Sequence, residues 1–367
     1  MISLGDSLRG TARCKVKSGG LGMAERVLII AEAGVNHNGN LEMALRLVDA
    51  AAEAGADVVK FQTFKADSLV SKTAQKAEYQ KAASGSQETQ YEMLKKLELS
   101  DADHHAIMDR CAERGILFLS TAFDPNGVRY LDALGLPIVK VPAGEITNLP
   151  YLRAVAACRK PVLLSTGMST LDEVAAAVAA IGDVPITLLH CTTEYPCPFG
   201  AVNLRAMLSL KEQFGLPVGY SDHTCGIEVA VAAVAMGASV IEKHFTLDRT
   251  LPGPDHRASI EPAGLAAMVA AIRNVEVALG DGVKRPAEVE MKNIPVVRKS
   301  IVARKAIRKG ETFTEDNLTT MRPGTGLSPM CWDSVIGRTA KSDYEAGAQI
   351  IADTLGDSAE GAAGGGR

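Results

Sequence analysis

The amino-acid sequence predicts a (β/α)8 TIM barrel followed by a small, mainly β domain. From residue 27 onward, short β-rich runs alternate with Ala/Leu-rich helical patterns, and this alternation indicates a parallel sheet. Eight such units fit into about 250 residues, which favours closure into a barrel over an open sheet. A polar, Pro-containing segment then leads into about 60 residues with short β runs and little helical period.

Each predicted strand is a short apolar run, and a turn separates it from the next helical segment. Several helical segments, such as TLDEVAAAVAAIG and GIEVAVAAVAMG, end in Gly, the residue that helix C termini prefer. The eight runs are, in chain order, VLIIAEAG, VVKFQTF, LFLSTAF, IVKVPAGE, PVLLSTGM, ITLLHCTT, PVGYSDHT and VIEKHFTL.

These patterns divide the chain into five segments. Residues 1–24 carry Gly, Ser and basic residues without an apolar stretch of secretory length, and they are predicted to be a flexible extension. The barrel is expected to occupy 25–281, a linker 282–297 and the small β domain 298–355. The Gly/Ala-rich residues 356–367 are predicted to form a disordered tail.

Composition narrows the class of protein. Hydrophobic residues make up 47% of the chain, enough for a sizeable core. The formal net charge is −4 and no long basic stripe occurs, so we expect no nucleic-acid binding. No run of about 18 apolar residues occurs, so we expect no membrane span. The seven scattered cysteines are typical of a reduced, cytoplasmic protein.

Polar side chains gather at the ends of the predicted strands. Because successive side chains of a strand point to opposite faces, Ser221 shares a face with His223, and Glu242 with His244. A barrel brings such ends around one mouth, where barrel enzymes place their active sites. Each residue alone could be a satisfied polar group, but burying the whole set is costly unless the groups are paired or bound. The other members are Glu32, Lys60, Gln62, Thr121, Lys140, Ser165 and Thr192.

His223 and His244 are predicted to end neighbouring strands. Two imidazoles at adjacent strand ends are close enough to share one divalent metal, and they leave coordination positions open for water and substrate, as catalytic metal sites do. Mn²⁺, Zn²⁺ and Fe²⁺ all suit this pair of ligands. The alternative is that both are ordinary core or surface histidines.

Lys60 and Lys140 bring positive charge to the same predicted mouth. Together with the hydroxyls of Ser120, Thr121 and Ser165, they suit a small polyanion, such as a phosphate that also bears a carboxylate. A Schiff-base role for one of the lysines is the main alternative.

Two loops are candidates for contacts with sugar hydroxyls. LPGPDHRAS, residues 251–259, follows the eighth predicted strand and offers Asp255, His256 and Arg257. NHNG, residues 36–39, follows the first strand, where a turn and a helix start are the alternative.

A series of short motifs occurs in order between residues 25 and 355. They are EAGVNHNG, KFQTF, STAFD, KVPAGEITN, LLSTGM, HCTTEYP, GYSDHT, IEKHFTLD and LPGPDHRAS. This series resembles the sialic acid synthase family, which includes N-acetylneuraminate synthase and the synthases for legionaminic and pseudaminic acids. The later stretch IVARKAIRKGETFTEDNLTTMRPGTGLSP resembles that family's antifreeze-like SAF domain, a β-clip fold.

The resemblance implies an enzyme that condenses phosphoenolpyruvate with an open-chain N-acyl amino sugar and water, giving a nonulosonic acid and phosphate. The candidate sugars are N-acetylmannosamine and 2,4-diacetamido-2,4,6-trideoxymannose. The resemblance also implies a divalent metal on His223 and His244, with Mn²⁺ expected and Mg²⁺, Co²⁺ or Zn²⁺ as alternatives. It implies a domain-swapped homodimer in which Arg322 enters the partner's barrel.

Position by position, the resemblance assigns roles within the predicted mouth. The expected catalytic residues are Glu32, Lys60, Lys140, His223 and His244. The expected substrate-binding residues are Thr121, Ser165, Thr193, Tyr195, Ser221, Asp255 and Arg322.

The chain departs from the family pattern at two places. Ala143 in KVPAGE stands where members often have Ser, which removes one hydroxyl contact to phosphoenolpyruvate. Thr193 and Glu194 make HCTTEYP more similar to the legionaminate-type enzymes than to N-acetylneuraminate synthases. Two other interpretations stay open. One is a class I aldolase that uses a lysine Schiff base, and the other is a non-catalytic sugar-binding protein.

Overall fold

The computed structural model of the protein describes residues 26–76 and 88–358. These residues form two compact units, which divide after residue 281. The predicted flexible extension, 1–24, lies outside the described residues, and so do residues 359–367 of the predicted tail.

The first unit is a closed barrel of eight parallel strands, which confirms the predicted fold. Each strand pairs with the next in sequence, and the eighth closes the barrel by pairing with the first. This pairing sets Glu32 beside Lys60 on one side and His244 on the other. The strands are β1 Leu28–Gly34, β2 Val58–Thr63, β3 Leu117–Ala122, β4 Val139–Val141, β5 Val162–Ser165, β6 Ile186–His190, β7 Val218–Asp222 and β8 Val240–His244.

Helices connect these strands. They are α1 Leu41–Glu53, α2 Ala66–Leu69, α3 Gln90–Lys95, α4 Asp101–Arg114, α5 Pro125–Ala133, α6 Leu149–Ala157, α7 Leu171–Ile181, α8 Ala206–Phe214, α9 Glu228–Ala235 and α10 Pro262–Leu279. Local sequence fixes several of their ends. The Ser100 side chain accepts a hydrogen bond from the Asp103 N–H at the start of α4, and Gly115 ends that helix with a φ of 67°.

The interior of the barrel has an apolar floor beneath its polar strand ends. A layer of buried, inward-facing apolar residues precedes the polar strand ends, and its members are Ile30, Val58, Leu119, Leu163, Leu189 and Val240. Gly219 belongs to this layer because a Cβ there would lie 2.5 Å from the Val240 carbonyl oxygen and 2.7 Å from Leu189 Cδ2. Glycine therefore allows β7 and β8 to approach each other over a filled floor.

The outward face of β7 and β8 carries a different set of side chains. Lys243 Nζ lies 2.6 Å from Asp222 Oδ2 and donates a hydrogen bond of 2.8 Å to the Thr224 carbonyl. Asp222 and Lys243 are both buried, and they alternate along the strands with Ser221 and Glu242. Alternation thus separates a structural ion pair outside the barrel from the polar groups inside it.

α10 meets, by length and composition alone, the requirements for crossing a bilayer. Its mean hydropathy is 1.3 over 18 residues, and 22% of it is buried. It follows the eighth strand and packs against α1 and α9, with Leu265, Met268 and Ile272 buried. We therefore interpret α10 as a helix of the barrel, and the absence of a membrane span stays a prediction.

The second unit begins at residue 282 and is mainly β. Two short helices, α11 Glu288–Met291 and α12 Ile294–Val297, lie in the segment predicted to be a linker. Strand β9 Ser300–Ala303 pairs antiparallel with β10 Leu318–Met321, and β11 Arg338–Ala340 pairs antiparallel with β12 Leu355–Ser358. Helix α13 Trp332–Val335 precedes β11.

Strand β12 corrects the predicted disordered tail. The tail was expected to begin at residue 356, but residues 356–358 belong to β12, where Arg338 pairs with Ser358. The prediction is therefore wrong for these three residues. Composition suggested disorder there, whereas hydrogen bonding to a partner strand gives the backbone an extended conformation that composition does not encode.

The core of the second unit offers a direct stability test. Phe313 is fully buried, so Phe313→Ala should lower the free energy of unfolding by about 3–5 kcal/mol through the cavity it leaves. Trp332, the single tryptophan of the chain, packs against this core, and its fluorescence during urea unfolding therefore measures the effect. Met330 is 93% exposed, and the control Met330→Ala should change the free energy by less than about 0.5 kcal/mol. An unchanged midpoint for Phe313→Ala would contradict this core.

Candidate active site

Lys60 is the centre of a buried polar cluster inside the barrel mouth. It forms an ion pair with Glu32 on β1 and donates a hydrogen bond of 2.9 Å to Thr121 Oγ1 on β3. Gln62, two residues further along β2, donates a hydrogen bond of 3.2 Å from its Nε2 to Glu32 Oε1. Inward-facing positions of three consecutive strands therefore meet, as the sequence predicted for strand ends of a closed barrel.

Glu242 on β8 joins Lys60 to the second lysine of the mouth. Its Oε1 lies 3.2 Å from Lys140 Nζ and accepts a hydrogen bond of 2.9 Å from Ser221 Oγ. Its Oε2 lies 3.5 Å from Lys60 Nζ. Sequence analysis placed Glu242 on the correct face but not among the site residues. The signal was its spacing of two from His244, which puts both side chains inside the barrel.

Electrostatics inside the mouth favour a charged Lys60. Burial alone lowers the pKa of Lys60, but Glu242 and Glu32 outweigh burial and raise that pKa above its usual value. Burial alone raises the pKa of Glu242, but Lys140 and Lys60 outweigh burial and lower it. Burial raises the pKa of Glu32. The positive charge of Lys60 acts against this rise, and the negative charge of Glu242 adds to it.

The two predicted metal ligands lie side by side at the same mouth. The ring centroids of His223 and His244 are 5.5 Å apart. The ring centroid of Tyr195 lies 4.2 Å from that of His223 and 5.4 Å from that of His244. His223 Nδ1 lies 2.6 Å from the Thr192 carbonyl oxygen. Because a carbonyl only accepts, Nδ1 carries the proton, and Nε2 keeps a lone pair.

The histidine pair fits a divalent metal as a two-ligand site. Burial lowers the pKa of His223, and burial together with repulsion from His223 and Lys60 lowers the pKa of His244 well below its usual value. Both imidazoles are therefore neutral, the form that binds metals. The buried Nδ1 of His244 has no hydrogen-bond partner among the described residues. Within 26–76 and 88–358, no group of three or more His, Cys, Asp or Glu side chains could hold a metal.

Asp255 approaches this pair from the loop after β8. Its Oδ2 lies 4.0 Å from His244 Nδ1, and burial, assisted by the charge of Glu32, raises its pKa to about 7. A Cβ on Gly34 would lie 3.3 Å from Glu32 Oε1 and 3.8 Å from Asp255 Oδ2. With a φ of 53°, Gly34 thus lets the β1 backbone pass between two carboxyl groups.

The β5 and β6 side of the mouth is tightly packed around a glycine. A Cβ on Gly167 would lie 2.6 Å from Thr193 Oγ1, 2.9 Å from Cys191 Sγ and 3.3 Å from Ala143 Cβ. The buried Thr193 hydroxyl has no hydrogen-bond partner among the described residues. Ser165 ends β5 nearby and is buried. Cys191 was missed by sequence analysis, although it directly follows the polar end of β6.

Several predicted contacts lie elsewhere. Ser120 does not face the mouth, because its Oγ lies 2.6 Å from Thr63 Oγ1 on the outward face, next to Thr121 but opposite in direction. The Thr192 hydroxyl donates to the Ala201 carbonyl instead of pointing inward. In the loop after β8, His256 is fully buried with its Nδ1 2.7 Å from Thr246 Oγ1. Asn36 is buried too and donates to the Phe245 carbonyl.

Arg322 lies in the second unit, directly after β10. Its side chain is exposed, and its Nε donates a hydrogen bond of 2.9 Å to the Val297 carbonyl. The expected role of Arg322 in a partner's barrel stays a prediction.

The fold and the site define a (β/α)8 barrel with an ionisable mouth and an appended β domain. The chain belongs to the NeuB family, whose model matches residues 47–284, and an SAF domain model matches residues 298–355. These matches confirm the resemblance to the sialic acid synthases and the antifreeze-like domain.

Two relatives are similar over nearly their whole length. N,N'-diacetyllegionaminic acid synthase of Campylobacter jejuni is 51% identical over 326 residues, which cover 88% of this chain and 98% of that protein. The protein of the same name from Legionella pneumophila is 47% identical over 337 residues, which cover 90% and 95%. Among solved structures, the N-acetylneuraminic acid (sialic acid) synthetase of Leptospira borgpetersenii in complex with citrate is 36% identical, with a TM-score of 0.65, over 73% of this chain and 90% of that one.

The Lys60–Glu32 pair makes a double-mutant test of the buried cluster possible. Lys60→Met alone should cost about 3–5 kcal/mol of stability, because it leaves Glu32 and Glu242 buried without their shared cation. Adding Glu32→Gln should recover part of this loss, with a coupling of about 1–3 kcal/mol in urea unfolding followed by far-UV circular dichroism. The more exposed Lys160–Asp132 pair is the matched control, and Lys160→Met with Asp132→Asn should couple by less than about 1 kcal/mol. Equal coupling in both pairs would contradict the buried geometry.

Proposed function

We propose that this chain condenses phosphoenolpyruvate with an open-chain, N-acylated amino sugar and water, giving a nonulosonic acid of the legionaminate type and phosphate. The observation that carries the proposal is the meeting of two buried lysines and two neutral imidazoles in one barrel mouth. Membership of the NeuB family and similarity to two N,N'-diacetyllegionaminic acid synthases support the choice of reaction and product.

Phosphoenolpyruvate is the small polyanion that suits the two lysines. Lys60 and Lys140 neutralise its carboxylate and phosphate, while Glu32 and Glu242 hold both ammonium groups in position. A hydroxyl donor at Thr193 is already buried without a partner. It offers a contact on the side of the mouth where Ala143 supplies none.

The reaction joins two carbons and releases one phosphate. C3 of phosphoenolpyruvate attacks the aldehyde carbon of the sugar, and the aldehyde oxygen takes up a proton. Positive charge develops at C2 of the former phosphoenolpyruvate, and water adds there and loses one proton. The bond between C2 and the phosphate oxygen then breaks, and the C2 hydroxyl passes its proton to the leaving phosphate, so that C2 becomes a ketone. The ammonium groups of Lys60 and Lys140 stabilise the negative charge that the departing phosphate carries.

A divalent metal on His223 and His244, with Mn²⁺ expected, supplies Lewis-acid polarisation of the aldehyde oxygen when bound. The chain prepares this site by keeping both rings neutral and by orienting His223 through the Thr192 carbonyl. Glu32 and Asp255 are the two candidates for carrying the proton to the aldehyde oxygen. Both are buried at the mouth with a raised pKa, so either can hold a proton that an exposed carboxyl would lose.

A lysine Schiff base is disfavoured by the same geometry. A lysine that forms a Schiff base must first lose its proton, which requires a lowered pKa. Lys60 instead has a raised pKa, and Lys140 lies 3.2 Å from the carboxylate of Glu242.

The assembly and the compartment belong to the same proposal. We assign the active form to a domain-swapped homodimer in which Arg322 of one protomer serves the partner's barrel, with the exposed position of Arg322 and the family resemblance as support. We assign the enzyme, a transferase, to the cytoplasm, because all the cysteines of the described residues are free thiols.

The histidine pair provides the first test of this function. His223→Ala and His244→Ala should each lower Mn²⁺-dependent phosphate release from phosphoenolpyruvate and the diacetamido sugar by at least about 100-fold, because one imidazole holds a metal poorly. EDTA should abolish release by the unaltered protein. The control His105→Ala, on the exposed face of α4, should release phosphate at the original rate. A passive sugar-binding protein would release none under any condition, and a metal-independent enzyme would survive EDTA.

Complementation between inactive variants tests the exchange of Arg322. Arg322→Ala and His244→Ala should each be nearly inactive as pure dimers. Mixed dimers contain one barrel with intact histidines and an intact Arg322 from the partner, so an equal mixture refolded together should regain about a quarter of the original activity. If Arg322 served its own barrel, no mixed dimer would contain a complete site, and the mixture would stay inactive.

A further inference from the structure

The turn that follows β1 contains the motif NHNG, residues 36–39, and the side chain of its first asparagine is buried. Asn36 Nδ2 donates two hydrogen bonds, one of 2.8 Å to the Phe245 carbonyl and one of 2.9 Å to Ser259 Oγ. Because a carbonyl only accepts, the first bond determines which end of the amide carries the nitrogen. Asn36 therefore joins the end of β1 to the chain that follows β8.

The bond from Asn36 to Ser259 continues to the main chain of Asp255. Ser259 is buried, and its hydroxyl donates a hydrogen bond of 2.7 Å to the Asp255 carbonyl oxygen. A hydroxyl has one proton to donate, so the Ser259 oxygen is the acceptor toward Asn36. The chain of bonds thus ends at the residue whose carboxyl oxygen lies 4.0 Å from His244 Nδ1.

Asn38, the second asparagine of the motif, holds the same loop at another point. Its Nδ2 donates a hydrogen bond of 2.8 Å to the Pro252 carbonyl, and its Oδ1 lies 3.3 Å from His256 Nε2. Its φ is 51°, a left-handed conformation that asparagine adopts more readily than most residues with a side chain. The loop after β8 is therefore held both before and after Asp255.

The bond from Asn36 to Phe245 acts on the main chain next to His244. The Phe245 N–H donates a hydrogen bond of 2.7 Å to the Glu32 carbonyl. The Ile260 N–H donates one of 2.8 Å to the His244 carbonyl. Asn36 adds a third bond to this short stretch, and it is the one that a side chain supplies.

We infer that Asn36 and Ser259 are positioning residues of the active site. Asn36 holds the main chain that follows His244 and, through Ser259, the main chain of Asp255, so that the imidazole and the carboxyl group keep a constant spacing. The inference rests on the proposed function, in which His244 holds the metal and Asp255 meets the sugar. It gives a role to the NHNG motif, whose first asparagine is turned away from the mouth.

Stability alone does not explain a buried asparagine at this place. Among the described residues, Asn36 Oδ1 is buried without a hydrogen-bond partner, and an unpaired acceptor costs free energy. This cost offsets part of what the two bonds from Nδ2 contribute to stability. The geometric constraint remains, and it matters because a misplacement of about 1 Å can reduce an enzymatic rate by about 100-fold.

Ser259→Ala tests the branch that leads to Asp255, because it keeps the bond from Asn36 to Phe245. The KM for 2,4-diacetamido-2,4,6-trideoxymannose, measured by phosphate release, should rise about 3- to 10-fold, as expected for the loss of one hydrogen bond. The KM for phosphoenolpyruvate and the Kd for Mn²⁺ should stay unchanged. The matched control is Ser239→Ala, which removes a 2.9 Å bond from a serine hydroxyl to the Val218 carbonyl at the opposite end of β8. It should change neither KM.

Asn36→Ala tests both branches together. It should raise the KM for the sugar and also weaken Mn²⁺ binding about 10-fold, because it frees the main chain after His244. Mn²⁺ binding is measured without substrates, from the electron paramagnetic resonance signal of the free ion. A variant that is merely less folded would bind fewer ions per chain and have a lower kcat, with unchanged Kd and KM values.

The outcomes distinguish this inference from the proposed function. An unchanged KM for the sugar in Ser259→Ala, or an unchanged Kd for Mn²⁺ in Asn36→Ala, would overturn the inference alone. So would an equal rise of both KM values in Ser259→Ala, since that result means a general loosening of the mouth. If Asn36→Ala does not fold, Ser259→Ala decides. Phosphate release from neither candidate sugar by the unaltered protein would overturn the proposed function and this inference with it.

Discussion

The site depends on one constraint, which is that inward and outward side chains alternate along eight strands closed into a ring. Closure sets Glu32 between Lys60 and His244, and alternation sends Ser221 and Glu242 inward while Asp222 and Lys243 pair outside. If one strand slipped by a single residue, its inward-facing and outward-facing polar groups would exchange faces. The apolar floor and the tightly packed Gly219 hold that register.

The mouth pairs two lysines with two acidic side chains in a buried setting. Lys60 contacts Glu32 and Glu242, and Glu242 is shared between both lysines. Burial of such a cluster costs desolvation energy that its internal ion pairs must offset. The arrangement therefore resembles a preorganised receptor, in which the lysines already hold fixed positions when an anion arrives and little reorganisation is needed during the reaction.

Sequence reasoning predicted the parts of the site that follow from local periodicity. The spacing of His223 from Ser221 and of His244 from Glu242 was enough to place four side chains inside one mouth. The same rule, applied consistently, would have sent Ser120 outward, because it is adjacent to Thr121. Asp255 was predicted from the position of its loop after the eighth strand, and family resemblance supplied Tyr195, which lies on a loop without a period. The small apolar cluster of Val35, Phe64 and Leu97 could not be predicted, because tertiary packing brings together segments that are distant in sequence. The β12 pairing could not be predicted either, because backbone partners are invisible in composition.

The filled floor of the barrel has a kinetic consequence. Ligands can enter and leave the barrel only through its open end. The depth at which each ligand binds therefore sets the order in which the ligands bind and dissociate. A compound resting against Lys60 and Lys140 must enter before one resting against Asp255, and the outer compound blocks its escape. Steady-state rates should therefore follow a compulsory-order scheme. Phosphoenolpyruvate binds first, and the sugar binds second and prevents phosphoenolpyruvate from dissociating.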